Sequence, residues 1–459
     1  MAFSIDEALL ADHGVAAVRL EYLNLDGTHC GKVVSRAKFL AGIERGWAWP
    51  DLAFGLCLGN TVQFGFDWGA WRGELPDVVL VADLDTMVWP PVGSSVARVL
   101  ASFRENSGRP LAVCPRTLLR SVDGRLRERG LHAFAAVEIE ATVFEESYAE
   151  AAAQHYRDLT PLGGRSGAML VMTKSPAYQR FMSELLDRFD QQGIGWEAWS
   201  DEAAIGQVEI NLPPAPAPEA ADQAARVKQC LREVAHDLGH SVTFMAKWHD
   251  QEYGQGAHVN VSLRDPHGVN LLTGTGDEPV PDLMRHAAGG LLATLPGFAS
   301  LAMPFPSSYR RLAELEGPPT TVTWGLNNKS CAVRAVPSLG PAARLEHRLP
   351  GADAHPHLVM AGILAGIEAG IENRLEPQQP IEGLAWMRPD GALPMIPSSI
   401  NRSANALTND PLLATALGRE FIDYWVGTRR WEWRAFHAAG AGGSPVVSEW
   451  EMSRYFELV

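Results

Sequence analysis

Four short stretches of this chain carry charges or amides at every second position. In Ala136-Val137-Glu138-Ile139-Glu140-Ala141-Thr142-Val143, the two glutamates fall on one side of an extended strand, with Val137, Ile139, Ala141 and Val143 on the other. The alternation returns in Gln207-Val208-Glu209-Ile210-Asn211-Leu212, in His258-Val259-Asn260-Val261-Ser262-Leu263 and in Arg344-Leu345-Glu346-His347-Arg348-Leu349. Neighbouring carboxylates repel, so Glu138 and Glu140 can share a site only with compensating cations. Glutamates with one histidine suit hard divalent ions such as Mg2+ or Mn2+, and arginines on a neighbouring strand suit carboxylate and phosphate groups. The chemistry favoured is metal-assisted phosphoryl transfer. For any one strand the plain alternative is an antiparallel sheet with a solvated polar face. Across four strands that hold no lysine, that alternative weakens.

Such strands need a sheet and a core behind it. Val18, Leu20 and Tyr22 alternate with Arg19 and Glu21, and Asp26-Gly27 then signals a hairpin into a second run through Val33-Val34. Asp77-Val78-Val79-Leu80-Val81 reads as a buried strand. Between them lies a Gly- and Trp-rich loop over about 51–75, too long for a plain connection. The first hundred residues therefore read as a small β-rich domain. From Pro115 helices alternate with strands. Leu118, Leu119, Val122 and Leu126 make one helical stripe ending at Gly130. Ser175-Pro176 opens a second helix, with Phe181, Leu185, Leu186 and Phe189 on its apolar face and Gly193 as its stop. A third is expected from about Glu219 to Gly239, after a rigid Pro-Ala-Pro-Ala-Pro connector at 214–218.

Composition narrows the class. Among 459 residues, 39 Lys plus Arg face 54 Asp plus Glu, a net charge of −15 that argues against a nucleic-acid partner. With 46% hydrophobic and 20% charged residues, the chain can bury a substantial core. The five cysteines form no Cys-x-x-Cys pair, which argues against a disulfide framework or a thiolate zinc site. Neither a signal-peptide pattern nor a membrane-spanning run is visible, so a cytoplasmic protein without a membrane partner is expected. No Gly-x-x-x-x-Gly-Lys-Ser/Thr loop is present. Trp47, Trp49, Trp68, Trp71 and Trp89 cluster within the first hundred residues.

The ordered motifs resemble the glutamine synthetase superfamily, including its γ-glutamyl-amine ligase branches of γ-glutamylamide and γ-glutamylpolyamine type. Glu138-Ile139-Glu140 resembles its Glu-x-Glu strand, and Glu202-Ala203-Ala204-Ile205-Gly206-Gln207-Val208-Glu209 its Glu-x3-Gly-Gln-x-Glu motif. Phe244-Met245-Ala246-Lys247 and Gly254-Gln255-Gly256-Ala257-His258-Val259-Asn260 follow, then Ser307-Ser308-Tyr309-Arg310-Arg311-Leu312. Asn328-Lys329-Ser330-Cys331-Ala332-Val333-Arg334 resembles the nucleotide motif, and Arg344-Leu345-Glu346-His347-Arg348 the Arg-x-Glu-x-Arg strand. The resemblance implies an α+β fold, with an N-terminal β-grasp domain over 1–105 and a catalytic domain over 106–459 built on a curved antiparallel sheet. It implies ATP as co-substrate, two or more Mg2+ or Mn2+ ions per site, and a homo-oligomer of stacked rings, commonly a dodecamer, with sites between subunits.

Position by position, the resemblance implies one metal site of Glu140, Glu202 and Glu209 and a second of Glu138, His258 and Glu346. Gly254, Arg311 and Arg348 match the acid-substrate contacts, and Lys329, Arg334 and Arg344 the nucleotide contacts. Glu316 matches the flap glutamate that helps deprotonate the amine. Arg311 and Arg334 are expected to act in catalysis with it, and Asp67 is the candidate amine base. The implied reaction joins glutamate to an organic primary amine through a γ-glutamyl phosphate. Glutamine synthetase using ammonium and a non-catalytic regulator are the alternatives. Asn260 stands where a second histidine is usual, Lys329 where arginine is, Tyr253 where asparagine is common, and His355-Pro356-His357 where Asn-Pro-Tyr is. The aromatics around Asp67 are equally compatible with core packing or with lining an organic-amine pocket.

Overall fold

The computed structural model describes residues 5–66, 75–91, 93–163, 169–313, 317–388, 391–444 and 446–459. Asp67, Trp68, Trp71 and Glu316 lie outside the described residues.

The expected hairpin is β1 (Ala17–Leu23) and β2 (His29–Ser35). Its turn places Gly27 at φ +85°, a left-handed conformation that glycine adopts without a Cβ clash. With β3 (Trp47–Pro50), β4 (Asp77–Ala82) and β5 (Val96–Arg104) these strands form a five-stranded sheet in the order β2-β1-β5-β4-β3. β1 and β5 run parallel and the other neighbours antiparallel. This mixed sheet accords with the β-rich reading of the first hundred residues. Trp47 and Trp49 turn inward on β3, where Tyr22, Trp49 and Phe54 meet Phe103 edge to face. Trp89 stacks on His13. Three of the five clustered tryptophans are therefore packing residues of this unit.

Among the described residues the second sheet has nine strands: β6 (His132–Phe144), β7 (Ala198–Asp201), β8 (Gln207–Asn211), β9 (Ala215–Pro216), β10 (Ser241–Thr243), β11 (Ala257–Arg264), β12 (Trp324–Leu326), β13 (Val333–Val336) and β14 (Arg344–His347). Seven run in the order β12-β13-β14-β11-β6-β8-β7, while β9 and β10 pair separately with β6. Apart from the parallel pair β12 and β13, all pairings are antiparallel. The apolar alternates of β6 (Val137, Ile139, Ala141, Val143) are buried against helices on one face. Helices Pro115–Glu128 and Ala217–Leu238 pack on β6, and Asp282–Ala302 on β13 and β14. Helix Pro356–Glu372 crosses Asp282–Ala302 almost backbone to backbone, since a Cβ on Gly290 would fall 2.0 Å from Gly366 O. Only glycine permits that approach.

Two sequence expectations shift. The proline-rich 214–218 stretch is not simply a connector: Ala215–Pro216 pairs with β6, and the third helix begins at Ala217 rather than about Glu219. Proline is tolerated there because the first helical turn has no backbone acceptor for its missing N–H. His355-Pro356-His357 also lies away from the polar sheet face. His355 caps helix Pro356–Glu372, while His357 Nε2 meets Asp222 Oδ1 at 2.7 Å beside Arg116. This departure lies at the junction between the two sheets, where Arg116 also donates to Asp83 just after β4. The same junction docks the hairpin turn, where Asp26 pairs with buried Arg429 at 2.6 Å. Among the described residues no helix is long and apolar enough to cross a membrane.

Candidate active site

Strand register brings the predicted side chains together. Glu138 on β6 lies opposite His258 on β11, Glu140 opposite Glu209 on β8, and Glu346 on β14 opposite both Asn260 and Arg334. The helices cover the other face, and the polar alternates converge on this one. Glu140 is only 8% exposed and Glu346 only 1%, while Glu138 and Glu209 are half-buried. Such burial is deeper than a plainly solvated sheet face gives.

Two groups of ligand atoms lie within 4.8 Å of one another: Glu138, His258 and Glu346, and Glu140, Glu209 and His258. The first is the second metal set expected from the sequence. The other contains two of the three expected ligands. Glu202, on the turn between β7 and β8, falls outside both groups, but its charge acts on Glu140 and Glu209. Burial, reinforced by Glu209 and Glu202 against the opposing effect of Arg311, pushes the Glu140 carboxyl up to about 8. Burial and the Glu138 charge raise Glu209 to about 7. For Glu138 the balance reverses: burial is outweighed by the His258 and Asn260 contacts and the Arg348 charge, which hold it at about 2. Burial and Arg348 lower His258, keeping its imidazole neutral and able to coordinate. Carboxylates that resist ionisation when crowded, beside a neutral histidine, fit a divalent cation.

Arginines close one side. Arg334 Nη1 donates to Glu346 Oε2 at 2.8 Å, and Arg348 Nη1 donates to Glu346 Oε1. The Nε atoms of both are buried without a partner, which suits an anionic ligand. Arg311 is buried, with Nη1 donating to Leu349 O at 2.9 Å, and it passes close over Gly254 and Gly256. A Cβ on Gly254 would meet Arg311 Cγ at 2.7 Å, which explains glycine at that position. Gln207 ties the two halves, donating to Glu140 Oε2 at 3.2 Å and to Gly254 O at 3.0 Å. Lys329 is exposed, and its charge acts on Glu202 and Glu209. Next to Glu138 opens a cavity of about 390 Å³, lined among others by Phe134, Asn211, Asn260, Ser262, Arg264 and Arg344. Phe134, Ser262 and Arg264 were not singled out from sequence. Their signal was the same two-residue alternation carried further along β6 and β11.

A family model described as "Glutamine synthetase, catalytic domain" matches residues 112–455. The chain belongs to the glutamine synthetase family. Ligases of this family use ATP and divalent metals, and the acidic and histidine cluster is of that kind. Among relatives in the family, glutamate–isopropylamine ligase of a Pseudomonas species is 30% identical over 451 residues, covering 97% of this chain and 96% of the relative. Gamma-glutamylethanolamide synthetase GlnA4 of Streptomyces coelicolor is 31% identical over 454 residues, covering 98% and 94%. A solved structure described as "Apo GmaS without ligand" superimposes with TM-score 0.80 at 25% identity, covering 98% of each chain.

Proposed function

We propose that this protein is an ATP-dependent ligase that joins the γ-carboxylate of glutamate to an organic primary amine. The observation that carries the reading is the single sheet face on which two ion-ligand groups lie beside Arg334 and Arg348, both with an unpaired buried Nε. The relatives named for isopropylamine and ethanolamide support an organic amine over ammonium. A 26% identical glutamine synthetase of Thermotoga maritima keeps ammonium as the second reading.

In the first step a γ-carboxylate oxygen attacks the terminal phosphorus of ATP and ADP leaves. In the second the amine nitrogen attacks the acyl carbon, phosphate leaves with the bridging oxygen, and the amine loses a proton. Glu140, Glu202 and Glu209, and Glu138, His258 and Glu346, would hold two divalent ions, Mg2+ or Mn2+. Bound there, the ions offset the charge between the phosphates and the carboxylate. Arg311, Arg348 and the backbone at Gly254 hold the acid substrate. Arg334, Arg344 and Lys329 contact the nucleotide phosphates, with Arg311 and Arg334 stabilising developing charge. Glu316 and Asp67 are the proposed acceptors of the amine proton. The chain divides into units of 1–105 and 106–459, a boundary supported by the gap between β5 and helix Pro115–Glu128. It works in the cytoplasm as stacked rings, commonly a dodecamer, with sites shared between subunits.

Purified protein with ATP, glutamate and Mg2+, given ammonium or a panel of alkyl, hydroxyalkyl, aryl and diamino amines, tests the reading by phosphate release. Release that depends on one or more organic amines is expected. Release with ammonium alone points to a glutamine synthetase, and none with any amine to a non-catalytic member. Sedimentation of the same preparation as a monomer would contradict the ring.

A further inference from the structure

Asn260 stands on β11 between Glu138 of β6 and Arg344 of β14, and its side chain bonds to both. Its Nδ2 donates to Glu138 Oε1 at 2.8 Å, and its Oδ1 accepts from Arg344 Nε at 2.8 Å. The neighbours dictate this orientation of the amide, because a carboxylate needs a donor and a guanidinium offers only donors. The Asn260 side chain is 7% exposed, at the wall of the cavity that Glu138 and Arg344 also line.

We propose that Asn260 is a neutral spacer that keeps Glu138 and Arg344 from pairing, leaving the carboxylate available to a divalent cation and the guanidinium to an anionic phosphate. The proposal rests on reading Glu138 as an ion ligand and Arg344 as a nucleotide contact. Both ends of the bridge keep a face for a ligand. Glu138 Oε2 stands 3.5 Å from His258 Nδ1, on the side of the ion-ligand group. Arg344 is steadied from behind by Ala342 O at 3.1 Å and lines the cavity beside Glu138. One amide thus positions a residue at each of two binding functions. The residue usual in the family at this place, histidine, also offers one donor and one acceptor when neutral.

The test compares full-length wild type with Asn260→Ala, Asn260→His and Glu138→Gln, each shown to be folded by thermal unfolding. Binding of Mn2+ alone is read by electron paramagnetic resonance, and binding of ADP at saturating Mg2+ by calorimetry. Asn260→Ala is expected to weaken both by about tenfold, the scale of losing a group that orients a ligand, whereas Asn260→His retains both within about threefold. Asn260→Ala binding both ligands like wild type, or losing only one of them, overturns the spacer. So does Asn260→His binding as weakly as Asn260→Ala. Asn260→Ser, too short to span both neighbours, carries the same expectation should Asn260→Ala fail to fold. Glu138→Gln is the control on the underlying reading: if it keeps Mn2+ affinity, the ion site has been misassigned. If only Glu138→Gln loses affinity, the ion site stands and the spacer falls.

Discussion

Three carboxylates on the site face each have one oxygen held by a protein donor. Glu138 Oε1 takes Asn260, Glu140 Oε2 takes Gly256 N and Gln207, and Glu209 Oε1 takes Asn211. Each thus has its other oxygen available to the divalent ion proposed there, whereas both oxygens of Glu346 accept from Arg334 and Arg348. Glu140→Gln removes a buried charge with little change in volume. Because burial already disfavours the charged carboxylate, the metal-free variant is expected to melt no lower than wild type. The rise in melting temperature that Mn2+ gives wild type should largely vanish, with Mn2+ affinity down by at least about tenfold. An undiminished Mn2+-induced rise would remove Glu140 from the ion site. The glutamates themselves were legible, since alternation along one strand marks their face. The Asn260 bridge was not, because it depends on the register of three strands distant in sequence.

At the scale of elements, helix boundaries followed local chemistry. Ser175 caps Pro176–Gln192, and Gly193 ends that helix at φ +65°, both visible in the sequence. The 214–218 stretch was misjudged because proline signals rigidity while giving no sign of a partner, and its partner is β6. The tryptophans at 47 and 49 stood out by number, yet only the inward face of β3 made them core. Glu233 on helix Ala217–Leu238 ties the helices of the large sheet to the small sheet, accepting from Arg98 on β5 at 2.8 Å and from Arg19 on β1 at 3.2 Å. Burial alone would raise this carboxyl, but Arg98, Gln229 and Arg19 outweigh it and hold it at about 2. A carboxyl held lower in the folded chain stabilises it above the unfolded value of 4.5 and loses that contribution as pH falls through about 2. Glu233→Gln should therefore melt below wild type at pH 7 and lose less further stability between about pH 5 and about pH 2.5. Parallel melting curves across that range would show that Glu233 does not help hold the small sheet to those helices.

For the whole molecule, the −15 charge becomes partly intelligible, since a few of its carboxylates converge where cations are expected. Their convergence, the helices behind them and the small sheet docked through Asp26 and Glu233 form a scaffold for one reaction. The two steps proposed for it are joined by a single oxygen, which would start on the γ-carboxylate and depart on phosphate. Glutamate carrying 18O in that carboxylate, turned over with ATP, Mg2+ and the amine that releases most phosphate, follows this atom directly. One 18O is expected in each phosphate released, with the amide keeping the other. Phosphate free of label would contradict transfer through a γ-glutamyl phosphate.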